Sequence, residues 1–140
     1  MKTLYKTQAT ASAGRNGMVS TDDGLLSLDL SYPKEMGGTG VATNPEQLFA
    51  AGYAACFSNA ILHVAREAQE KVSQVPVTAG VGINVSQAGG FVLTVSLEAT
   101  LDLPQLQAVE LAKLAHQVCP YSNAVRGNID VAITVNGEVI

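Results

Sequence analysis

The side chains best suited to chemistry in this chain of 140 residues are its two cysteines. Cys56 lies in the apolar run LFAAGYAACFSNAIL, and Cys119 lies in the segment VCPYSNAVRGNIDV. Burial alone would explain either one, because free cysteine behaves as a small apolar residue and is often buried. Their placement on two separate elements nevertheless favours a joint role in thiol chemistry over two unrelated core positions.

Several other kinds of site lack the residues that they need. Two cysteines and two histidines without CxxC or HxxxH spacing predict no zinc site, so we expect no metal. His63 follows Cys56 by seven residues, about 10.5 Å along a helix axis, which is too far for direct deprotonation of the thiol. The motifs GxSxG and GxxxxGK[ST] are absent. A hydrolase or a nucleotide-binding protein is therefore poorly supported.

Charge and hydropathy limit the partners and the location. The formal net charge is −4 without any cluster of lysine and arginine, which predicts no binding to nucleic acid. The N-terminal segment lacks a signal-peptide pattern, and the apolar run Leu48–Leu62 is shorter than the roughly 20 residues that cross a bilayer. We expect a cytoplasmic protein outside the membrane, where thiols serve redox chemistry more often than structural disulfides.

The elements that must position these cysteines follow from hydrophobic periodicity. The pattern predicts an α+β fold in a single domain covering residues 1–140, with mainly antiparallel sheets packed on two helices. One helix should begin at Asn44, which can cap free N–H groups ahead of Pro45, and end near Lys71. A second should open at Pro104. Strands are predicted at residues 3–11, 26–32, 77–85, 91–101 and 129–135.

The first predicted helix and two loops would frame a site. This helix carries Cys56 and is apolar almost all the way round, so we expect it in a core. The turn Ser12–Gly17 presents Arg15 at its tip, and the glycine-rich loop Pro33–Thr43 leads into the helix. Only 14% of the residues are charged, which favours burial between subunits of an oligomer.

Peroxide reduction fits these residues. That reaction needs a thiolate, a nearby cation, an apolar pocket for the substrate and a second thiol that resolves the oxidised sulfur. A cysteine near its ordinary pKa of about 8.5 is only a few per cent thiolate at neutral pH, and a guanidinium beside it would lower the pKa. The sequence offers a candidate for each requirement.

The segments NPEQLFAAGYAACF and VCPYSNAVRGNIDV, together with AGRNG near the N-terminus, resemble the organic hydroperoxide resistance proteins. These form the Ohr branch of the Ohr/OsmC family. The resemblance implies an OsmC-like fold in an intertwined homodimer, with two sites at the subunit interface and neither metal nor haem. It also implies a thiol-dependent peroxidase for organic hydroperoxides, reduced again by the dithiol of a lipoylated protein.

The resemblance assigns roles to four residues of this chain. Cys56 is the expected peroxidatic cysteine, which forms a sulfenic acid and then a disulfide with Cys119, the expected resolving cysteine. Arg15 is expected to stabilise the thiolate, and Glu46 to hold that arginine. Candidate residues of the apolar substrate pocket are Met36, Leu48, Phe49, Tyr53 and Phe57.

The spacing of Glu46 and Cys56 creates a conflict within this site. Ten residues of unbroken helix would separate them by about 15 Å along the axis, whereas an arginine side chain reaches about 6 to 7 Å. Either the helix breaks near Gly52, or Arg15 and Glu46 of one subunit complete the site of the other. We favour sharing between subunits, and therefore an obligate homodimer, because AAGYAA otherwise favours helix.

Two alternatives to this peroxidase remain open. One is an OsmC-type sister enzyme of the same class, although the segment VCPYSNAVRGNIDV favours the Ohr branch. The other is a non-enzymatic carrier of apolar ligands whose cysteines only pack, which the low charge and the buried helix would also suit.

Overall fold

The computed structural model describes all residues from Met1 to Ile140, in two units that span Met1–Leu48 and Phe49–Ile140. The first unit contains a three-stranded antiparallel sheet in the order β1-β2-β3. Its strands are β1 (Ala9–Ala11), β2 (Met18–Thr21) and β3 (Ser27–Asp29). Two short 3-10 turns, at Gly14–Asn16 and Lys34–Met36, interrupt the connections.

The strands of the first unit are shorter than predicted. The strand expected at residues 3–11 forms only at Ala9–Ala11, and residues 1–8 form no strand and are exposed. The strand expected at residues 26–32 forms only at Ser27–Asp29, although Leu30 makes an isolated bridge with Thr43. Strand β2 was not predicted, because MVST is short and carries no clear alternation. Pairing with both neighbours, rather than its own pattern, makes β2 a strand.

Helix α1 spans Pro45–Glu67, close to the prediction at its start and four residues shorter than predicted at its end. The Asn44 side-chain oxygen accepts a hydrogen bond from the N–H of Gln47 at 2.9 Å, as an N-cap does. At the other end Gln69 has a left-handed φ of 59°, and the N–H of Glu70 donates to the carbonyl of Ala65. This is a Schellman motif, which stops the helix before Lys71.

Length and hydropathy alone would allow α1 to cross a membrane. The most apolar segment of this helix has a mean hydropathy of 1.4, and 33% of that segment is buried. A core helix of a soluble protein passes the same test, so this property is weak support for a membrane span. Tyr53, Phe57 and Ile61 of this helix are fully buried within the second unit.

The second unit contains a four-stranded sheet in the order β4-β5-β6-β7. The predicted hairpin is confirmed as β4 (Val77–Val85) and β5 (Phe91–Ala99), with Val81 opposite Val95. The last predicted strand forms as β6 (Ala132–Val135) and pairs with β5 in parallel. The short β7 (Glu138–Val139) follows a turn at Asn136 and Gly137, both with positive φ, and was not predicted.

Two more helices complete the second unit and its core. The predicted second helix is confirmed as α2 (Gln105–Val118), with Pro104 just before it. An additional short helix, α3 (Pro120–Val125), follows Cys119 and was not predicted. Apolar residues of α1, β5, β6 and α2 pack into one core that includes Ile61, Leu97, Ala112 and Val135. The fold class is α+β, as predicted.

Candidate active site

The two cysteine sulfurs lie 3.6 Å apart in the second unit, and both thiols are free. Cys56 projects from the middle of α1 and is partly exposed, whereas Cys119 is completely buried. A disulfide bond is about 2.05 Å long, so the sulfurs need to approach by about 1.5 Å to form one. The two thiols are therefore adjacent but not bonded.

Local backbone geometry explains why the chain changes direction at Cys119, between α2 and α3. Its φ of −63° and ψ of 122° are extended, as expected for a residue that precedes proline. Its N–H donates to the carbonyl of Ala115 at the end of α2, and its own carbonyl accepts from the N–H of Asn123 in α3. Pro120 serves as the first residue of α3, where a missing N–H costs nothing. Cys119 therefore joins two helices and has both backbone groups satisfied.

Burial and hydrogen bonding act in opposite directions on Cys56. Burial is the largest influence and raises the pKa of the Cys56 thiol, because the thiolate loses solvation. The backbone N–H of Tyr121 donates toward the sulfur and lowers this pKa, while the neighbouring Cys119 thiol raises it again. No lysine or arginine of residues 49–140 is among these influences. Within the second unit, no cation offsets the effect of burial on the pKa of this thiol.

Arg15 and Glu46 form a two-pronged ion pair in the first unit. Nη1 of Arg15 donates to Oε2 of Glu46 at 2.7 Å, and Nη2 donates to Oε1 at 2.6 Å. Their side chains are only 20% and 15% exposed. The hydrogen bond to Glu46 raises the pKa of Arg15, and the hydrogen bond from Arg15 lowers the pKa of Glu46. The pair is fully charged and its guanidinium has a fixed orientation.

The sequence around Arg15 favours this orientation. Gly14 has a φ of 59°, a left-handed angle that glycine adopts without strain, at the start of the 3-10 turn that carries Arg15. The guanidinium carbon also lies 5.9 Å from the centre of the Tyr32 ring, within range of a cation–π contact. Tyr32 was predicted only as a strand residue, and sequence alone gave no signal of this contact.

Four aromatic rings form a cluster in the second unit beside the cysteines. Tyr53 lies 6.2 Å from Phe49, 6.5 Å from Phe57 and 5.6 Å from Tyr121, measured between ring centres. Tyr53 and Phe57 are fully buried, whereas Tyr121 is 38% exposed. Tyr121 follows Cys119 by two residues, a proximity that could have identified it from the sequence.

The predicted site residues therefore fall into two groups. The second unit brings together Cys56, Cys119 and the pocket candidates Phe49, Tyr53 and Phe57. The first unit holds the pair Arg15 and Glu46, together with the remaining pocket candidates, Met36 and Leu48. Met36 is 38% exposed at the end of a 3-10 turn.

The helix between Glu46 and Cys56 is unbroken. Both residues lie within Pro45–Glu67, which is helical throughout, and Gly52 is part of that helix. The alternative in which the helix breaks near Gly52 is wrong. The predicted separation of about 15 Å along the axis therefore stands.

Comparison with known proteins identifies the family. The model of the OsmC-like proteins matches residues 37–134. An organic hydroperoxide resistance protein of Xanthomonas axonopodis pv. citri is 48% identical over 139 residues, covering 96% of each chain. The protein OhrB of Bacillus subtilis is 45% identical over 134 residues, covering 93% of this chain and 96% of its own. This chain belongs to the OsmC-like family.

Solved structures agree with this family and with the Ohr branch. A crystal structure from Vibrio cholerae has a TM-score of 0.98 and 67% identity, and the match covers 100% of this chain and 97% of that one. That protein is provisionally named an organic hydroperoxide resistance protein, and it holds captopril in one of its active sites. OhrB of Bacillus subtilis has a TM-score of 0.87 and 41% identity, covering 96% and 100% of the two chains. The predicted resemblance to organic hydroperoxide resistance proteins is confirmed.

Proposed function

We propose that this member of the OsmC-like family is a thiol-dependent peroxidase that reduces organic hydroperoxides to alcohols. The observation that carries the proposal is the 3.6 Å separation of a partly exposed thiol and a buried one. The difference in exposure supports Cys56 as the peroxidatic cysteine and Cys119 as the resolving one, because partly exposed Cys56 can meet a substrate from solvent, whereas Cys119 is buried beside it. The names of its relatives support the substrate class.

The reaction proceeds in three steps. The Cys56 thiolate attacks the terminal peroxide oxygen, the O–O bond breaks, and the leaving alkoxide takes a proton to become an alcohol. The Cys119 sulfur then attacks the Cys56 sulfenic acid, and the hydroxyl group leaves as water with the thiol proton. An external dithiol, for which we propose a lipoylated protein, reduces the resulting disulfide by thiol–disulfide exchange. Each cycle thus consumes one hydroperoxide and one dithiol, and the protein needs no other cofactor.

Arg15 and Glu46 are proposed to serve Cys56 across the interface of a homodimer. Burial raises the pKa of Cys56, so a fixed guanidinium beside the sulfur would restore the reactive thiolate. The unbroken α1 supports a contribution from the partner subunit, because Glu46 is about 15 Å from Cys56 along its own helix. The presence of more than one active site in the Vibrio cholerae protein is consistent with such a dimer.

We propose a cytoplasmic location.

Apolar side chains are proposed to select organic substrates. Phe49 and Tyr121 are partly exposed members of the aromatic cluster, and Tyr53 and Phe57 form its buried base. Burying alkyl groups against such rings gains roughly 25 cal/mol per Å². Met36 and Leu48 of the first unit stay pocket candidates under the dimer proposal.

The proposed function is tested by titrating reduced protein with cumene hydroperoxide and with hydrogen peroxide. We expect wild-type protein to form a disulfide, Cys119→Ser to consume about one equivalent and accumulate oxidised Cys56, and Cys56→Ser to consume none. Mass spectrometry identifies each product. A carrier would bind the organic compound and leave both thiols unmodified, and equal rate constants for the two peroxides would contradict the proposed substrate preference.

A further inference from the structure

A buried chain of hydrogen bonds links three helices of the second unit beside the cysteines. The Tyr53 hydroxyl lies 2.7 Å from the Ser122 hydroxyl, and Nδ1 of His116 lies 2.8 Å from the same oxygen. Tyr53 and Ser122 are fully buried, and His116 is partly buried. Ser122 on α3 is thus connected to α1 and to α2 at once.

The three residues have a regular spacing relative to the two thiols. Tyr53 precedes Cys56 by three residues on α1, and residues three apart on a helix share a face. His116 precedes Cys119 by three residues, and Ser122 follows it by three. The Ser122 hydroxyl therefore ties the helix that carries Cys56 to both helices that flank Cys119.

Packing alone gives little reason for this polar chain. Replacing two hydrogen-bonded buried groups by apolar groups of the same shape is often nearly neutral for stability. Disulfide formation, in contrast, is demanding, because it requires the sulfurs to close from 3.6 Å to about 2.05 Å with a narrow range of torsion angles. A rigid backbone around Cys119 would favour this approach of the two sulfurs.

We propose that Ser122, through its hydrogen bonds to Tyr53 and His116, is a positioning residue for the attack of Cys119 on oxidised Cys56. This inference rests on the proposed peroxidase function and concerns only its second step. In that step the S–S bond forms, the S–O bond of the sulfenic acid breaks, and hydroxide leaves as water with the Cys119 proton. No further oxidant or reductant is consumed.

The protonation state of His116 decides whether the chain is complete. A neutral ring can accept at Nδ1 from Ser122, which in turn accepts from Tyr53. A protonated ring donates to Ser122 instead, so the Ser122 hydroxyl can no longer donate to Nδ1, and one of the two hydroxyl protons, of Ser122 or of Tyr53, loses its acceptor within the chain. Burial, and then the positive charge of Arg126, lower the pKa of His116 and favour the neutral form.

Few other titratable groups surround this histidine. Arg126, at the end of α3, also donates through Nη2 to the backbone carbonyl of His116. Tyr53 of α1 is reached through Ser122, and burial raises the pKa of its hydroxyl, so the phenol stays protonated. Strand β6, which packs against α2, has the sequence AITV and carries no titratable side chain. We therefore expect disulfide formation to slow at acid pH, where His116 becomes protonated.

The test separates the two half-reactions in Ser122→Ala. Reduced protein is mixed with one equivalent of cumene hydroperoxide, and sulfenic acid and disulfide are followed by quenching and mass spectrometry. We expect Cys56 to oxidise at a rate within about twofold of wild type, because the Ser122 hydroxyl is hydrogen-bonded to Tyr53 and His116 rather than to Cys56. Disulfide formation should slow at least about tenfold, and excess peroxide should drive Cys56 to the sulfinic acid.

Two substitutions at His116 form a matched pair. His116→Asn keeps a polar atom near the position of Nδ1, so we expect disulfide formation near the wild-type rate at neutral pH and a smaller decline at acid pH than in wild type, since only the decline common to any attacking thiol remains. His116→Leu has a similar volume but no polar atom, so it should behave like Ser122→Ala. A purely structural role would not distinguish the two by rate or by pH profile once both are shown to be folded.

The results that would overturn the inference are separate from those that would overturn the proposed function. Wild-type disulfide kinetics in folded Ser122→Ala would overturn the inference. If Ser122→Ala does not fold, equal disulfide kinetics in His116→Asn and His116→Leu would overturn it instead. A wild-type protein in which peroxide leaves Cys56 unmodified would contradict the peroxidase itself.

Discussion

At the scale of single residues, the Arg15–Glu46 pair shows how a surface loop can hold a charge in place. Two hydrogen bonds of 2.6 and 2.7 Å fix the plane of the guanidinium, and the Tyr32 ring lies 5.9 Å from its carbon. Lysine cannot reproduce this, because an ammonium group is a point charge without a planar fork. The pair therefore supplies direction as well as charge.

Replacing Arg15 by lysine should weaken the reactivity of Cys56 while keeping the net charge. We expect peroxide oxidation of Cys56 to slow about tenfold, the effect of losing roughly one unit of pKa depression. The thiol pKa can be followed by its ultraviolet absorbance during a pH titration. Lys34→Ala is the matched control, since Lys34 is an exposed cation of the same unit. Equal slowing in both variants would contradict a specific role of the guanidinium, because Arg15→Lys keeps the net charge and Lys34→Ala does not.

The pair also predicts a dependence of stability on pH. The folded pKa of Glu46 is depressed, so its contribution is present above its unfolded pKa of about 4.3 and is lost as the pH falls through the folded pKa. Both side chains are partly exposed, which limits this contribution to about 1 kcal/mol. Urea unfolding should show a smaller loss below pH 4.3 in Glu46→Gln than in wild type. Glu35→Gln, at an exposed carboxylate, should retain the wild-type loss.

At the scale of elements, Gly52 has a different role from the one that its low helix propensity suggests. A Cβ at this position would lie 2.6 Å from the Tyr121 hydroxyl oxygen and 3.1 Å from two of its ring carbons. The glycine permits close approach of the Tyr121 ring to α1, without any break in the helix. The same ring packs against Phe49 and Tyr53.

This contact predicts a non-additive pair of substitutions. In an ordinary helix interior, glycine to alanine stabilises by about 0.5–1 kcal/mol. We expect Gly52→Ala to give no such gain in the wild type, because the Tyr121 ring has to move. In a Tyr121→Phe background, which removes the nearest atom but keeps the ring carbons at 3.1 Å, part of this gain should reappear. Urea unfolding at one fixed protein concentration measures the cycle, and an additive result would exclude steric coupling.

The long elements were predictable because their patterns persist over many residues. Helix α1, the hairpin β4–β5 and helix α2 each repeat their period several times, and their observed bounds fall within a few residues of the predicted ones. The short elements were not. Strand β2 has four residues, α3 has six and β7 has two, which is too few for a period.

The two cysteines of the candidate site were predictable from the sequence, whereas the hydrogen-bonded residues beside them were not. The two cysteines stand out because they are the only thiols in the chain. Ser122 and His116 do not, because a single serine and a single histidine belong to no motif that would mark them in the sequence. Only the packing of three helices around one hydroxyl brings them together.

At the scale of the whole molecule, each unit leaves a large part of its surface exposed. In the first unit residues 1–14 are all exposed, and its only buried residues are Leu30, Ser31 and Asn44. In α1 only 33% of the most apolar segment is buried, although apolar side chains dominate that segment. A sheet with so little core of its own and an incompletely covered apolar helix both support the proposed homodimer.

A mixture of two inactive variants tests whether that dimer shares its sites. If Arg15 and Glu46 of one subunit serve Cys56 and Cys119 of the other, a heterodimer of Cys56→Ser and Arg15→Ala has one site with both defects and one intact site. Co-refolding equal amounts should give half heterodimers, and thus about a quarter of the wild-type peroxidase activity. Each variant refolded alone is the control. Native mass spectrometry establishes the heterodimer fraction, and proven heterodimers without recovered activity would place all four residues within one chain.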